Sequence, residues 1–551
     1  MNSNCLKSIP KDIVKEIFNE YLFHDEYEFG FLMKLFFSNK LYKINLIQPK
    51  TKTIEECIPF SQHIKINIDQ FFASNQYDLI MLRLMKHFFI KNLIFSTNQN
   101  ENVFLPNHVN HLQICYPFCH PLNFALPKKL KKISFGDWYD GSIISQFPNE
   151  LQEIVFGDNF DSMFPKLPES LIKLQTGTHF NQDLTNILSK DLKQLILGER
   201  YNKDLNDSLP DSLEVLIFKN NNYNGKITKF PKNLKTLFIS YDSSNTLPKL
   251  PDGLETLTMS DDFKHKIDYF PPSLKILNIG VSYCHDINIS SLQHLKTLDF
   301  GFNPYDFTIP QKLPDSIEKL ILPLNFNQEI KSLPKNLKTI ILGSKYNKVI
   351  KCNFPKSLKS LGFSQHYNQK TSIKSEGIET IQFGKHFNQK IEHLPQSLKI
   401  LRFGSRFNQK INNLPNGLKT LVFATDFNQK IDSLPDSLEK LVFGKRFNQL
   451  LPKLPKNLRH LEFGKSFNHK IDEFPSKIER VICGNAFNQP LPKDIPKSMN
   501  ILSLGKSYDH IIPSSFEDYF SNSQESIVDY FIEKIIKFMT FIFVFLLSIF
   551  Q

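Results

Sequence analysis

The chain has 551 residues, 41% of them hydrophobic and 13% aromatic, which is enough apolar surface to exclude disorder of the whole chain. The formal net charge is +12, but the lysines are scattered rather than gathered into runs, so they read as solvated side chains and no nucleic acid partner is expected. Seven cysteines, odd in number and without a CxxC pair, exclude a disulfide framework and point to a reducing, cytoplasmic setting.

The opening MNSNCLKSIPKD has no apolar h-region, so no secretory signal peptide is expected. Over residues 1–50, Ile13, Ile17, Phe18, Tyr21 and Leu22 fall at helical spacing. Pro10 suits a first helical turn, and Asp12 and Glu16 sit near the positive end of the helix dipole. A second apolar stripe uses Phe31, Leu32, Leu35 and Phe36, so a small domain of two or three short helices is expected. This segment resembles an F-box. Ile9 and Pro10 stand at its start, Ile13, Val14, Ile17, Tyr21 and Leu22 on its first helix, and Leu32, Leu35, Ser38 and Leu41 in its later part. Ile replaces the usual Leu, and the terminal Trp is absent, with Tyr42 as its substitute. The resemblance implies that Ile9, Pro10, Ile13 and Ile17 contact a Skp-type adaptor and, through it, a cullin; a plain capping domain fits the same stripe. Residues 51–104 carry mixed apolar segments and read as a connector or as worn repeats.

Residues 105–508 are repetitive. LPQSLKILRFGSRFNQKINN from Leu394 is followed by similar copies from Leu414, Leu434 and Leu454, a period of 20; earlier copies drift between 20 and 22. Degenerate copies fit near Leu188, Leu292 and Ile373. In each unit an L-x-x-L-x-F core such as Leu398, Leu401 and Phe403 alternates with period two, so it reads as a short strand with one buried face, ended by Gly404. A unit this short cannot bury its own apolar face, and stacking copies does so. Asn388, Asn408, Asn428, Asn448, Asn468 and Asn488 recur one period apart and are expected to form an amide ladder. Phe387, Phe407, Phe427, Phe447, Phe467 and Phe487 are expected to form an aromatic spine beside it.

The L-x-x-L-x-F core resembles the leucine-rich repeat, and the fuller pattern LPxSLKxLxFGxxFNQxI is similar to the FNIP repeat of social amoebae and of giant viruses that infect them. The resemblance implies a curved solenoid, with short parallel strands on its concave face, that binds proteins and performs no chemistry. It departs from the pattern at Phe263-Lys264, Tyr283-Cys284 and Tyr305-Asp306, where the ladder is expected to break.

Beside the buried strand residues, the positions that vary include Ile400, Arg402, Thr420, Val422, Lys440, Val442, His460, Glu462, Arg480 and Ile482. Variation within a constant frame can encode a binding surface, so Arg402, Lys440, His460 and Arg480 are the candidate partner-binding residues. Neutral exposed positions are the alternative. At about 4.8 Å per strand, some twenty units give a surface on the order of 95 Å long, which suits a protein and is too open for a small substrate.

Residues 509–551 form a tail whose last fourteen, Phe538 to Gln551, carry no charge. As a helix they would span about 21 Å, short of a hydrocarbon core of about 30 Å. An apolar cap, an interfacial helix and a short membrane anchor all fit.

No P-loop, GxGxxG, GxSxG or HExxH occurs, so no enzymatic activity and no cofactor are expected. Cys115, Cys119 and His120 lack a second ligand pair at zinc-site spacing, and no metal is expected. The resulting expectation is a substrate receptor of a cullin-type ubiquitin ligase. The alternative is an interaction scaffold without that role, tethered to a membrane or not.

Overall fold

In the computed structural model the described residues are 44–46, 66–73, 89–96 and 103–510, apart from 221, 242–246, 306–311 and 374. Ile9, Pro10, Ile13 and Ile17, with the helices expected around them, lie outside these residues, as does the apolar stretch from Phe538. Among the described residues no helix is long and apolar enough to cross a membrane.

The chain divides into two compact units, Met1–Leu254 and Glu255–Gln551. In the first, the strand Ile44–Leu46 pairs antiparallel with Ile66–Ala73, and Ile66–Ala73 then pairs parallel with Phe89–Phe95. From there each strand pairs in parallel with the next, through His111–Ile114 to Thr236–Ile239. In the second unit parallel pairing runs from Thr256–Met259 to Ile501–Ser503. Both units are parallel-strand solenoids of short turns, as the repeats imply.

The turn beginning at Leu394 shows how its residues dictate it. Pro395 holds φ near the value a tight turn needs, and its carbonyl accepts the Leu398 N–H at 3.2 Å. Three residues of strand follow, Ile400–Arg402, with only the middle Leu401 fully buried. A second tight turn closes with the Phe407 N–H donating to the Gly404 carbonyl at 3.3 Å. The core of the turn is Leu398, Leu401, Phe403, Phe407 and Ile411, all buried. Glycine at position 404 answers to a close approach: a Cβ there would lie 2.0 Å from the Gly384 carbonyl oxygen of the preceding turn.

Both expected ladders are present. Rings from Phe326 through Tyr346, Tyr367, Phe387, Phe407, Phe427, Phe447, Phe467 and Phe487 to Tyr508 stack face to face, with centroids 5.9 to 6.3 Å apart. In the first unit Phe118, Tyr139, Phe160, Phe180, Tyr201 and Tyr223 stack in the same way. Each Asn Oδ1 accepts the backbone N–H of the next Asn: Asn428 to Asn408 at 2.9 Å, Asn448 to Asn428 at 2.9 Å, Asn468 to Asn448 at 3.0 Å. Two of these oxygens also accept from the following glutamine: Gln429 Nε2 donates to Asn408 at 3.1 Å and Gln449 Nε2 to Asn428 at 3.2 Å.

Near residue 303 the structure corrects the phase read from the sequence. The buried residue of that turn is Asn303, whereas Tyr305 is 44% exposed. Gly301 takes φ +49°, with its N–H on Asp299 Oδ1 at 2.8 Å, and this tightens the turn. The Asn303 amide then donates to the carbonyls of Gly280 and Tyr283 at 2.6 and 2.8 Å. An amide thus stands where other turns bury a ring.

Candidate protein-binding surface

On a three-residue strand the two outer side chains face away from the core. In-register parallel pairing turns them into two columns in the second unit. Ile400, Thr420, Lys440, His460, Arg480 and Ile501 are successive partners in one column. Arg402, Val422, Val442, Glu462, Ile482 and Ser503 are successive partners in the other. Lys440, His460 and Arg480 therefore stand on three consecutive strands, beside an apolar column of Val422, Val442 and Ile482 that Glu462 interrupts. Arg402 lies in the apolar column, two strands from Lys440, so the structure brings three of the four candidate residues together and sets the fourth apart. Arg402 and Lys440 are exposed, and His460 and Arg480 are half-buried. His460 Nε2 lies 3.5 Å from Glu462 Oε2 across the two columns, a contact that is ionic only when the imidazole is protonated.

A third column, just before the strands, was overlooked in the sequence. Here glutamates sit between cations one turn away on either side. Glu379 is 3.2 Å from Lys359 and 2.7 Å from Lys399, and Glu318 is 3.5 Å from Lys296 and 2.6 Å from Lys338. Lys419 reaches Glu439 at 2.9 Å, and Arg459 reaches Glu479 at 2.7 Å. The hydrogen bond from Lys399 holds the Glu379 carboxyl below its ordinary range. The signal was available, because the residue after the first Leu of L-x-x-L is Lys, Arg or Glu in nearly every turn. Lys419, Glu439 and Arg459, with Ser437, Asn457 and Lys477, line a shallow cleft of about 340 Å³. Its charged, open walls do not resemble the apolar enclosure of a small-molecule site.

A serine column supports this edge. Ser397 Oγ donates to the Ile378 carbonyl at 2.8 Å, Ser437 to Leu418 at 2.7 Å and Ser498 to Ile478 at 2.7 Å. Among the described residues no group of three or more His, Cys, Asp or Glu is placed to hold a metal ion. Burial pushes the Cys483 thiol up to about 12, which makes it a core side chain and not a nucleophile.

The FNIP Repeat family model matches residues 180–221, 201–242, 306–345, 375–406, 387–426, 407–446, 427–453 and 447–485. Among solved structures the chain is similar to CroV588, described as a novel circular LRR protein, with 31% identity over 78% of this chain and 75% of that one and a TM-score of 0.60. The chain belongs to the FNIP repeat family. This FNIP protein is also matched to YopM from Yersinia enterocolitica WA-314, at 19% identity over 74% of this chain and 90% of that one, TM-score 0.40. YopM from Yersinia pestis, described as a leucine-rich effector protein, matches at 21% identity over 65% of this chain and 84% of that one, TM-score 0.32. No curated protein matches the FNIP chain.

Proposed function

We propose that this FNIP protein is a cytoplasmic, non-enzymatic receptor whose strand face grips a protein target. One observation carries the reading: Lys440, His460 and Arg480 are set in register beside Val422, Val442 and Ile482 on a backbone held by hydrogen bonds on both sides. Such a surface combines a row with two fixed cations, Lys440 and Arg480, which steer and orient an acidic partner, with an apolar row that supplies desolvation. Its residues vary while the frame beneath them repeats, so the surface can change without refolding the core. We further propose that residues 1–50 act as an F-box, through which a Skp-type adaptor and a cullin would be recruited to the bound target. The support for this part is the Ile9-Pro10 start and the stripe of Ile13 and Ile17.

Affinity purification with quantitative mass spectrometry tests both halves. With Arg402, Lys440 and Arg480 changed to Glu, targets should be lost while the melting temperature stays within a degree or two. Reversal of Lys410 and Lys430 should leave those targets bound. With Ile13 and Ile17 changed to Asp, the adaptor and cullin should be lost and the targets retained. Targets that survive the strand changes would sink the binding surface. A wild-type chain that never captures the adaptor would leave a scaffold without a ligase role.

A further inference from the structure

The second unit carries two lysine columns, and they differ in their company. On the column before the strands, glutamates alternate with the cations. The other column lies after the Phe-Asn pair, at Lys370, Lys390, Lys410 and Lys430, one on each of four consecutive turns. All four side chains are exposed, and none makes an ion pair among the described residues. Where lysines at this position do pair, the partner is two residues on, as in Lys266–Asp268 at 2.7 Å and Lys470–Asp472 at 3.3 Å. Glu392 and Asp432 stand at the equivalent place beside Lys390 and Lys430 without pairing to them.

The column has defined ends. The same position is Val349 in the preceding turn and Leu450 in the following one, 47% and 67% exposed. Six successive turns therefore present aliphatic, four lysines, aliphatic, over roughly 30 Å if the column keeps the 6.0 to 6.3 Å spacing of the rings three residues before it. The floor beneath is fixed. Gln389, Gln409 and Gln429, each next to a lysine, donate their amides to Asn368, Asn388 and Asn408 at 3.3, 3.2 and 3.1 Å. Like charges stacked at this spacing repel one another, and a partner that neutralises them relieves the repulsion.

We propose that this edge docks an acidic α-helix of a second partner, distinct from the target on the strand face, with one carboxylate per helical turn facing Lys370, Lys390, Lys410 and Lys430 and apolar side chains against Val349 and Leu450. A helix advances about 5.4 Å per turn, so its carboxylates drift only about 2 Å from the lysines along the row, well within the reach of a lysine side chain. About twenty helical residues span the column. Single-stranded nucleic acid is the weaker fit, because base stacking needs exposed rings. The rings of these turns, Tyr367, Phe387, Phe407 and Phe427, are buried, among the described residues between Val349 and Leu450 no Phe or Tyr is exposed, and the exposed His366 ring is already stacked on His386 at 4.9 Å.

The test uses the full chain and a labelled helical peptide of about twenty residues carrying Glu once per turn and Leu at both ends, followed by fluorescence anisotropy. Lys390→Glu with Lys410→Glu should weaken its binding at least about tenfold with an unchanged melting temperature, and Lys497→Glu, an exposed lysine outside both columns, should leave binding intact. A peptide of the same composition with its Glu residues scrambled off one face, and an oligothymidylate of equal charge, should both bind less tightly. Equal binding by either competitor, or binding indifferent to the double reversal, would overturn the proposal.

Discussion

Asn428 shows what one side chain does in a stacked turn. Its backbone N–H donates to Asn408 Oδ1 at 2.9 Å, while its own Oδ1 accepts from the Asn448 N–H at 2.9 Å and from Gln449 Nε2 at 3.2 Å. One amide thus serves two turns, which is why the residue recurs wherever the stack is regular. In the first unit Asp161 plays the same part, accepting the Asn181 N–H at 2.8 Å, so the requirement is an acceptor oxygen at that place and not an amide as such. Asn428→Ala should lower stability by about 1–3 kcal/mol, read as a drop in melting temperature. Asn428→Asp should lose less. An Ala variant that melts with the wild type would show that water replaces the rung at no cost.

A strand of three residues has no stability of its own; it persists because both neighbours hold it. The consequence shows best where the pattern falters. Around the strand Thr297–Asp299 the outer position is Asp299, its side chain 5% exposed, with Lys319 at 3.6 Å. Burial dominates over the Gly301 N–H and the lysine, and pushes this carboxyl above its ordinary value. The sign is the reverse of the usual surface carboxylate. Below the ordinary carboxylate range both states are protonated and nothing is lost. As pH rises through the raised folded value the unfolded chain is already ionised, and the folded state bears the full cost of the buried charge. Asp299→Asn keeps an acceptor for Gly301 and removes the charge. It should therefore raise the melting temperature at about pH 7, with the gain shrinking as pH falls and vanishing only below about pH 3, under the ordinary carboxylate range. A variant less stable than the wild type at neutral pH would mean that Lys319 outweighs desolvation.

Within each unit, contacts among the described residues run from turn to turn, and the hydrogen bonds that join turns span about one period, as from Asn428 to Asn408. Register, not length, is then the quantity that must be conserved. Deleting residues 407–426 removes one full period and joins Arg406 to Phe427, restoring the pattern. This variant should fold and melt cooperatively within several degrees of the full chain. Deleting residues 407–416 should leave apolar and polar columns out of phase and give a broad, early transition or insoluble protein. If the two deletions melt alike, the turns are not interchangeable units.

The repeat itself determined much of this protein in advance. Leu401 and Phe403 alternate, Pro395 and Gly404 punctuate, and Phe407 and Asn408 recur, so strand, turn, ring stack and amide ladder were all legible in one period of the sequence. Tertiary structure alone decided which side chains become neighbours across turns. Lys440, His460 and Arg480 are twenty residues apart in the chain and adjacent in the sheet, and so are Lys359, Glu379 and Lys399, which in sequence look like scattered charge. The slip at residue 303 has the same origin. A Phe-Asn pattern is recognised by letters, whereas the buried slot is filled by whatever the backbone carries there, and the positive φ of Gly301 carried Asn303 into it. Local chemistry is written along the chain; the company a charge keeps is set by stacking, which no single turn contains.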